Sequence, residues 1–382
     1  MVSNSTTTIL LLLCIALIVG GCQKQADRAT TTSDSATKFP TPQIDFDPRQ
    51  YICYRTDNPI IVDGMLNDTT WIAAAWTEDF VDIEGSLKPK PKLKTRAKML
   101  WDQDYLFIAA EMEEPHVWGT LTQRDAVIYY DNDFEVFIDP DGDSHEYYEL
   151  EINALNTQWD LLLIKPYRDG GPAVDSWDVQ GIQSAVAVDG TINNPGDQDT
   201  GWSVEIAIPW EVLSECAHKP SPPKEGDQWR LNFSRVEWET RVVGDHYEKI
   251  IDLETNKPLP ENNWVWSPQG LINMHYPEMW GFVQFSEKFV ESDSVTFKWN
   301  HKEDAKWALR QLYYAQKKHY TQYGYYSANV FRLNLHLEKT EWFTWPPSIK
   351  RTPNLYEAQI TILPDSATLH ISQDGHIWCS HD

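Results

Sequence analysis

Carboxylates crowd one stretch of this chain. Asp131-Asn132-Asp133-Phe134-Glu135 opens a run that ends at Asp139, and Glu149 and Glu151 follow it closely. In an alternating strand Asp133 and Glu135 share a face, roughly 7 Å apart at Cα by the rise of a strand. Glycoside hydrolysis asks for two carboxyls about 5 Å or about 6.5 to 9.5 Å apart across the sugar. One flat strand face offers no opposing carboxyl, so the spacing by itself does not argue for hydrolysis. No Gly-x-Ser-x-Gly, His-Glu-x-x-His or phosphate loop occurs, and no catalytic residue is assigned. The turn Asp139-Pro140-Asp141-Gly142-Asp143 brings three hard oxygen donors together, so Asp139, Asp141 and Asp143 are candidate ligands of a structural calcium. It is not an EF-hand, because glycine falls at the fourth position and Leu150 stands at the twelfth. A solvated Asp-Gly turn is the alternative. No other cofactor is expected. Arg124 beside Asp125 forms either a fork for sugar hydroxyls or a surface ion pair. Trp118 and Trp177 sit in loop-like stretches, as exposed platforms or as caps on the end of a sandwich.

Composition narrows the partners. Among 382 residues, 32 Lys and Arg face 57 Asp and Glu, a formal charge of −25. Such a surface repels phosphate backbones, so nucleic acid is excluded as a partner. With 18 Trp, 17 Tyr and 13 Phe the chain has aromatic rings to spare, for a thick β core and for stacking on sugar faces.

The N-terminus points to an envelope address. An apolar run from Ile9 to Val19 ends in Gly20-Gly21-Cys22, which reads as a lipobox, with cleavage after residue 21 and Cys22 as the lipidated residue. The run is short for a membrane span of about 20 residues, although the leader lacks the usual basic residues. Gln23 after the cysteine resembles the outer-membrane sorting pattern of Gram-negative lipoproteins. The expected mature chain is therefore anchored by lipid in the cell envelope, at the outer membrane. Residues 22–49, rich in Thr, Ser, Asp and Pro, are expected to be a flexible tether. Cys53, Cys216 and Cys379 allow one disulfide at most.

Past Tyr51 the pattern is of short alternating strands and turn residues. Thr95–Trp101 and Tyr105–Met112 read as a hairpin around Asp102-Gln103-Asp104. Further strands are expected at Asp133–Asp139, Tyr147–Asn153, Trp159–Ile164, Ile182–Val188, Trp202–Ile208 and Trp229–Val236. The expected fold is mainly β, an antiparallel β-sandwich over residues 50–287. A small C-terminal α+β appendage over 300–382 follows. Its helix runs from Glu303 to Tyr323, with Leu309, Leu312, Tyr313, Tyr320 and Tyr323 on one face and Gly324 as its cap. Antiparallel strands follow the helix, and the sandwich is expected to fold without this appendage.

The order of these segments resembles the family 9 carbohydrate-binding module. Val62-Asp63-Gly64 with Trp71 is similar to the family's opening, and Asp131-Asn132-Asp133-Phe134-Glu135-Val136-Phe137-Ile138-Asp139 to its acidic pair and Glu-bearing strand. Tyr147 to Asn153, Gly201 to Trp210 and Trp229 to Arg235 resemble its later strands. The resemblance implies a non-catalytic module that clamps a terminal sugar between two aromatics, with Glu135 and Asn153 taking hydroxyls. One clamp corresponds to Tyr129, six residues before the strand Glu. The other corresponds to Met274, with His275 and Tyr276 beside it as candidate ligand contacts, so the family's two-tryptophan clamp is not reproduced. The implied ligand is an oligo- or polysaccharide, and the implied partners are glycoside hydrolases on other chains. Two alternatives stay open. One is a haem-binding electron-transfer sandwich, for which Met274-His275 would supply axial ligands; the other is a structural docking protein of the envelope.

Overall fold

Turn chemistry and alternation build the strands where the sequence places them. The computed structural model describes residues 39–380, apart from 291, 293, 336, 338, 339, 364 and 365. The leader and Cys22 lie outside the described residues. After β1 (Gln50–Arg55) come β2 (Thr95–Trp101) and β3 (Tyr105–Glu113), joined by a turn in which the Asp102 carboxylate accepts the amides of Asp104 and Tyr105. Then follow β4 (Asp133–Asp139), β5 (Tyr147–Asn153), β6 (Gln158–Leu163), β7 (Gln183–Asp189) and β8 (Gly201–Pro209). β9 (Gln228–Glu237), β10 (Asn262–Val265) and β11 (Gly281–Phe289) complete the body.

These strands bond in the order β6-β5-β4-β9-β11-β1-β2-β3-β8-β7, a path that closes over itself as a sandwich. Pairs are antiparallel except at β1, which runs parallel to both β11 and β2. No hairpin joins β1 to either neighbour, so nothing forces it to be antiparallel. The sandwich is thus mixed at this strand, where sequence alternation alone suggested a wholly antiparallel one.

The main core lies between the layers. Phe134, Val136 and Ile138 of β4 and Phe233 of β9 point inward and join a cluster with Ile108 of β3 and Ile206 of β8. The opposite face of β4 and β5 is buried too, which is unusual for an antiparallel sheet with one face on the core. There Phe137, Tyr147, Leu161, Trp280 and Met274 form a second cluster. Acidic residues of the same face lie next to this patch.

The C-terminal segment is less of an appendage than the sequence suggests. Its helix, Lys302–Tyr323, buries Leu309, Leu312 and Tyr313 as expected and ends on Gly324 at φ +74°, while Tyr323 is exposed. It packs against a four-stranded antiparallel sheet made of β12 (Ser348–Arg351), β13 (Tyr356–Thr361), β14 (Thr368–Ser372) and β15 (Ile377–Ser380). Tyr276 and Met279 of the sandwich share the helix's apolar cluster. Buried ion pairs cross between the two parts: Arg230 with Glu303 at 2.8 Å, and Lys317 with Asp169 at 2.6 Å. Residues 300–382 therefore do not form a separate domain.

The tether also ends earlier than its composition suggests. Phe46 stacks on Trp307 at 4.4 Å and Phe39 meets Tyr313 edge-on at 5.7 Å. The Gln43 amide donates to Gly270 O, and the Tyr276 hydroxyl donates to Pro40 O. Two phenylalanines in a polar stretch suffice to dock residues 39–49 on the body, because each buries a large apolar face. Cys53 and Cys216 are buried free thiols, and Cys379 is free and exposed. No helix among the described residues is long and apolar enough to cross a membrane.

Candidate functional site

Strand register gathers the carboxylates. On the outer face of the β4-β5 pair, Asp133 stands opposite Asn153, Glu135 opposite Glu151 and Phe137 opposite Glu149. β9 adds Ser234 opposite Glu135, and β6 adds Trp159 opposite Glu151. Asp133, Glu135, Glu149 and Glu151 are each 5% exposed or less. Both Asp133 oxygens, one oxygen each of Glu135 and Glu149, and the Ser234 hydroxyl lack a hydrogen-bond partner. Glu151 accepts the Tyr129 amide at 2.9 Å.

Such a group resists ionisation. Burial raises the Asp133 carboxyl well above its usual range, reinforced by the charge of Glu135. Burial pushes Glu135 up to about 7. Glu149 and Glu151 are raised by burial and then by their acidic neighbours. The physical cause is shared: desolvation and like charges both favour the neutral acid.

Aromatic rings stand around this acidic floor. Tyr129 is half-buried, with its ring 4.8 Å from Tyr130 and 6.4 Å from Trp159. Tyr167 is half exposed and meets His275 edge-on at 4.5 Å, and His275 Nδ1 pairs with the Tyr147 hydroxyl at 2.9 Å. Burial raises the Tyr167 hydroxyl, and so do the charges of Glu149 and Glu151 and the nearby Tyr129. Tyr129 and Tyr167 thus border the same acidic floor. An aromatic border above buried acceptors is a surface on which an apolar sugar face can stack while its hydroxyls reach polar groups.

The remaining residues singled out from sequence go elsewhere. Asn153 is fully buried, and its amide is spent: Nδ2 donates to Leu121 O and to Asp131, while Oδ1 accepts the amides of Leu155 and Thr157. Tyr276 is fully buried under Arg168, whose guanidinium lies 4.0 Å from the ring centre. Trp118 is buried against Val236 and Trp238, and Trp177 stacks on Tyr148 at 5.0 Å with Nε1 donating to Glu215. Both loop tryptophans are packed parts of the body rather than open platforms. Arg124 is fixed by Asp160 at 2.6 Å and Asp178 at 3.2 Å, so its donors are engaged. Met274 is buried beside Phe137 and Trp280, which accounts for it by packing.

The Asp139, Asp141 and Asp143 oxygens do converge within 4.8 Å. Their lone pairs are largely used within the turn: Asp139 accepts the Gly142 and Ser144 amides, and Asp143 accepts the His145 amide and pairs with His376. Lys306 caps the turn's carbonyls at 3.0 Å.

Sequence reasoning missed Trp159 and Tyr167 and gave Glu149 and Glu151 no binding role. Period-two alternation carried a signal for the two glutamates and for Trp159, since each falls on the Glu135 face once register is known. Tyr167 carried none, because it comes from a short 3₁₀ turn after β6.

Comparison with known proteins gives a family match. The family described as "Carbohydrate family 9 binding domain-like" matches residues 62–257. Over 118 residues the chain is 29% identical to the exoglucanase XynX of Acetivibrio thermocellus, a match covering 31% of this chain and 9% of that enzyme's length. Two solved structures are matched at low identity. A putative carbohydrate-binding protein from Bacteroides uniformis has 16% identity and a TM-score of 0.45, covering 63% of this chain and 100% of its own. A family 9 carbohydrate-binding module from Caldicellulosiruptor kristjanssonii, in complex with cellotriose, has 13% identity and a TM-score of 0.40, covering 66% and 100%.

Proposed function

The chain belongs to the carbohydrate family 9 binding domain-like family, and from that premise we propose that it is a non-catalytic sugar-capturing protein held in the cell envelope by a lipid on Cys22. The observation that carries the sugar reading is the acidic floor of Glu135, Glu149 and Glu151 bordered by Tyr129, Trp159, Tyr167 and His275. Stacking on Tyr129 and Tyr167 supplies affinity, and the floor accepts or donates to hydroxyls according to its protonation. Asp133, Glu135, Glu149 and Glu151 share one sheet face, which supports capture over hydrolysis, a reaction that needs two carboxyls on opposite sides of the sugar. The lipobox and the outer-membrane sorting pattern support display at the outer membrane, where captured glycan would be passed to glycoside hydrolases on other chains. The packed roles of Met274 and His275 leave the haem reading without support.

The test uses the full chain carrying Cys22→Ser, which should leave the membrane fraction. Its binding to a glycan array and to cello-oligosaccharides is then measured. Tyr129→Ala and Tyr167→Ala should each weaken binding by about 1 to 3 kcal/mol, the range scaled from aromatic burial and pairing, with thermal stability nearly unchanged. Binding that survives both changes would remove this face as the site. Retention of the Cys22→Ser chain in membranes would sink the lipid anchor.

A further inference from the structure

A cavity of about 490 Å³ opens where the sandwich meets the start of the long helix. Its walls come from the loop before β9, the first residues of β9, Phe282 of β11 and the segment from Lys298 to Lys306. Lys219, Arg230, Lys298, Lys302 and Lys306 line it, against Asp141, Asp227 and Glu303. In a chain of formal charge −25 this is a local reversal of sign. The three carboxylates do not cover the five cations. Glu303 is shared between Arg230 at 2.8 Å and Lys306 at 3.1 Å, and Asp227 accepts the Lys224 amide at 2.8 Å. Among the described residues no carboxylate is ion-paired with Lys298 or with Lys219, which donates instead to the Gln228 carbonyl at 3.0 Å. Lys219 is half-buried. Burial lowers its ammonium to about 8, with Lys306 adding to the effect and Asp141, Asp227 and Asp139 acting against it.

Crowded, partly desolvated cations are stabilised by an anion that brings charge and acceptors together. We propose that this cavity binds an acidic sugar, a pyranose carrying a carboxylate or a sulfate ester. The volume lies within the range of small-ligand sites, about 300 to 1,000 Å³, so there is room for a ring behind the anion. Lysine ammonium groups are compact point charges and suit either anion. Trp299 stands half-buried in the wall, edge-on to Phe282 at 5.2 Å with Nε1 donating to Asp304, and gives the sugar ring an apolar neighbour. Lys298, Trp299, Lys302 and Lys306 all lie beyond the matched residues 62–257, so the cavity depends on the C-terminal segment. The acidic floor repels such a ligand. The cavity is therefore separate from the floor and does not depend on the sugar reading made there.

The full chain is titrated calorimetrically at neutral pH and low salt with sodium D-glucuronate, the primary sulfate ester of D-glucose, D-glucose and sodium sulfate. At least one of the two acidic sugars should bind, and which of them binds tells carboxylate from sulfate as the source of the charge. Combining Lys219→Met with Lys298→Met should weaken that binding by at least about tenfold, as for the loss of hydrogen bonds to a charged group. The affinity for D-glucose should stay that of the parent. Each change removes a like charge from a crowded set, so the double variant should fold, which a melt verifies. Lys298 is exposed, so Lys298→Met alone serves where the pair melts early, with a loss of about threefold expected. Lys257, exposed and outside the cavity lining, provides the control: Lys257→Met should bind the acidic sugar like the parent. The proposal is overturned if neither acidic sugar binds, if binding persists in the cavity variants, or if Lys257→Met weakens it as much. Sodium sulfate bound as tightly as the sugars would also overturn it, by showing a site for a bare anion.

Discussion

Asn153 and Glu135 come from neighbouring strands and face the same way, yet their side chains do different things. Asn153 completes four hydrogen bonds with Leu121, Asp131, Leu155 and Thr157 and holds the loop that leads into β4. Asn153→Ala should therefore cost about 3 kcal/mol of stability, since removing it leaves buried partners unsatisfied. A lowered denaturation midpoint, with sugar affinity per folded molecule kept, is the expected result. If affinity falls and the midpoint holds, Asn153 touches ligand. The difference between these two residues was only half legible in the sequence. Strand alternation identified which residues share a face, while Tyr129 and Glu135 were found through the family resemblance. Alternation cannot say which polar side chain meets a loop backbone and which is left without a partner, because the loop arrives from elsewhere in the chain. The same limit left Trp118 and Trp177 open between platform and cap: a loop tryptophan is packed or open according to its neighbours, and here those are Trp238 and Tyr148.

At the scale of elements, the long helix is joined to the sandwich through Glu278. Its carboxylate takes Arg168 at 2.9 Å, faces Arg310 at 3.7 Å and accepts the Tyr314 hydroxyl. Burial alone would raise its pKa, but Arg168 and Arg310, helped by the Tyr314 hydroxyl, pull it down to about 2. The sign follows from the proton balance. A folded-state pKa below the unfolded value of 4.5 means that the contact contributes its full stability above about pH 4.5 and loses it as pH falls towards about 2. Glu278→Gln should flatten the acid limb in that window, measured by melts from pH 5 to pH 2. At neutral pH it should cost about 3 to 5 kcal/mol, because two buried guanidinium groups lose their anion. An unchanged acid limb would mean that other carboxylates govern acid unfolding. Nothing in the local sequence announced this residue. Glu278 lies in a short turn, and its partners come from a different turn and from the helix.

At the scale of the whole molecule, the sequence showed the two regular regions and missed that they share an interior. The switch from period two to helical period after Asn300 reads as a boundary, and it does mark a change of secondary structure. It does not mark a domain boundary, which depends on whether few contacts cross it. Tyr276 and Met279 pack with Leu309 and Leu312, while Arg230 reaches Glu303 and Arg168 reaches Glu278 in the same buried layer. Phe39 and Phe46 pack against the same cluster, on Tyr313 and Trp307 of the helix. A chain ended after Glu287 would expose this apolar cluster and strand Arg230 without its carboxylate. Such a truncated chain should aggregate on expression, whereas the full chain stays soluble. Supplying residues 300–382 as a separate polypeptide should rescue part of it, since the missing surface is complementary rather than covalent. Size-exclusion chromatography of the truncated chain, alone and with the added segment, tests this. A monomeric, cooperatively melting product from the truncated chain alone would show that the sandwich holds its own core, and that the shared layer only fastens the helix to it.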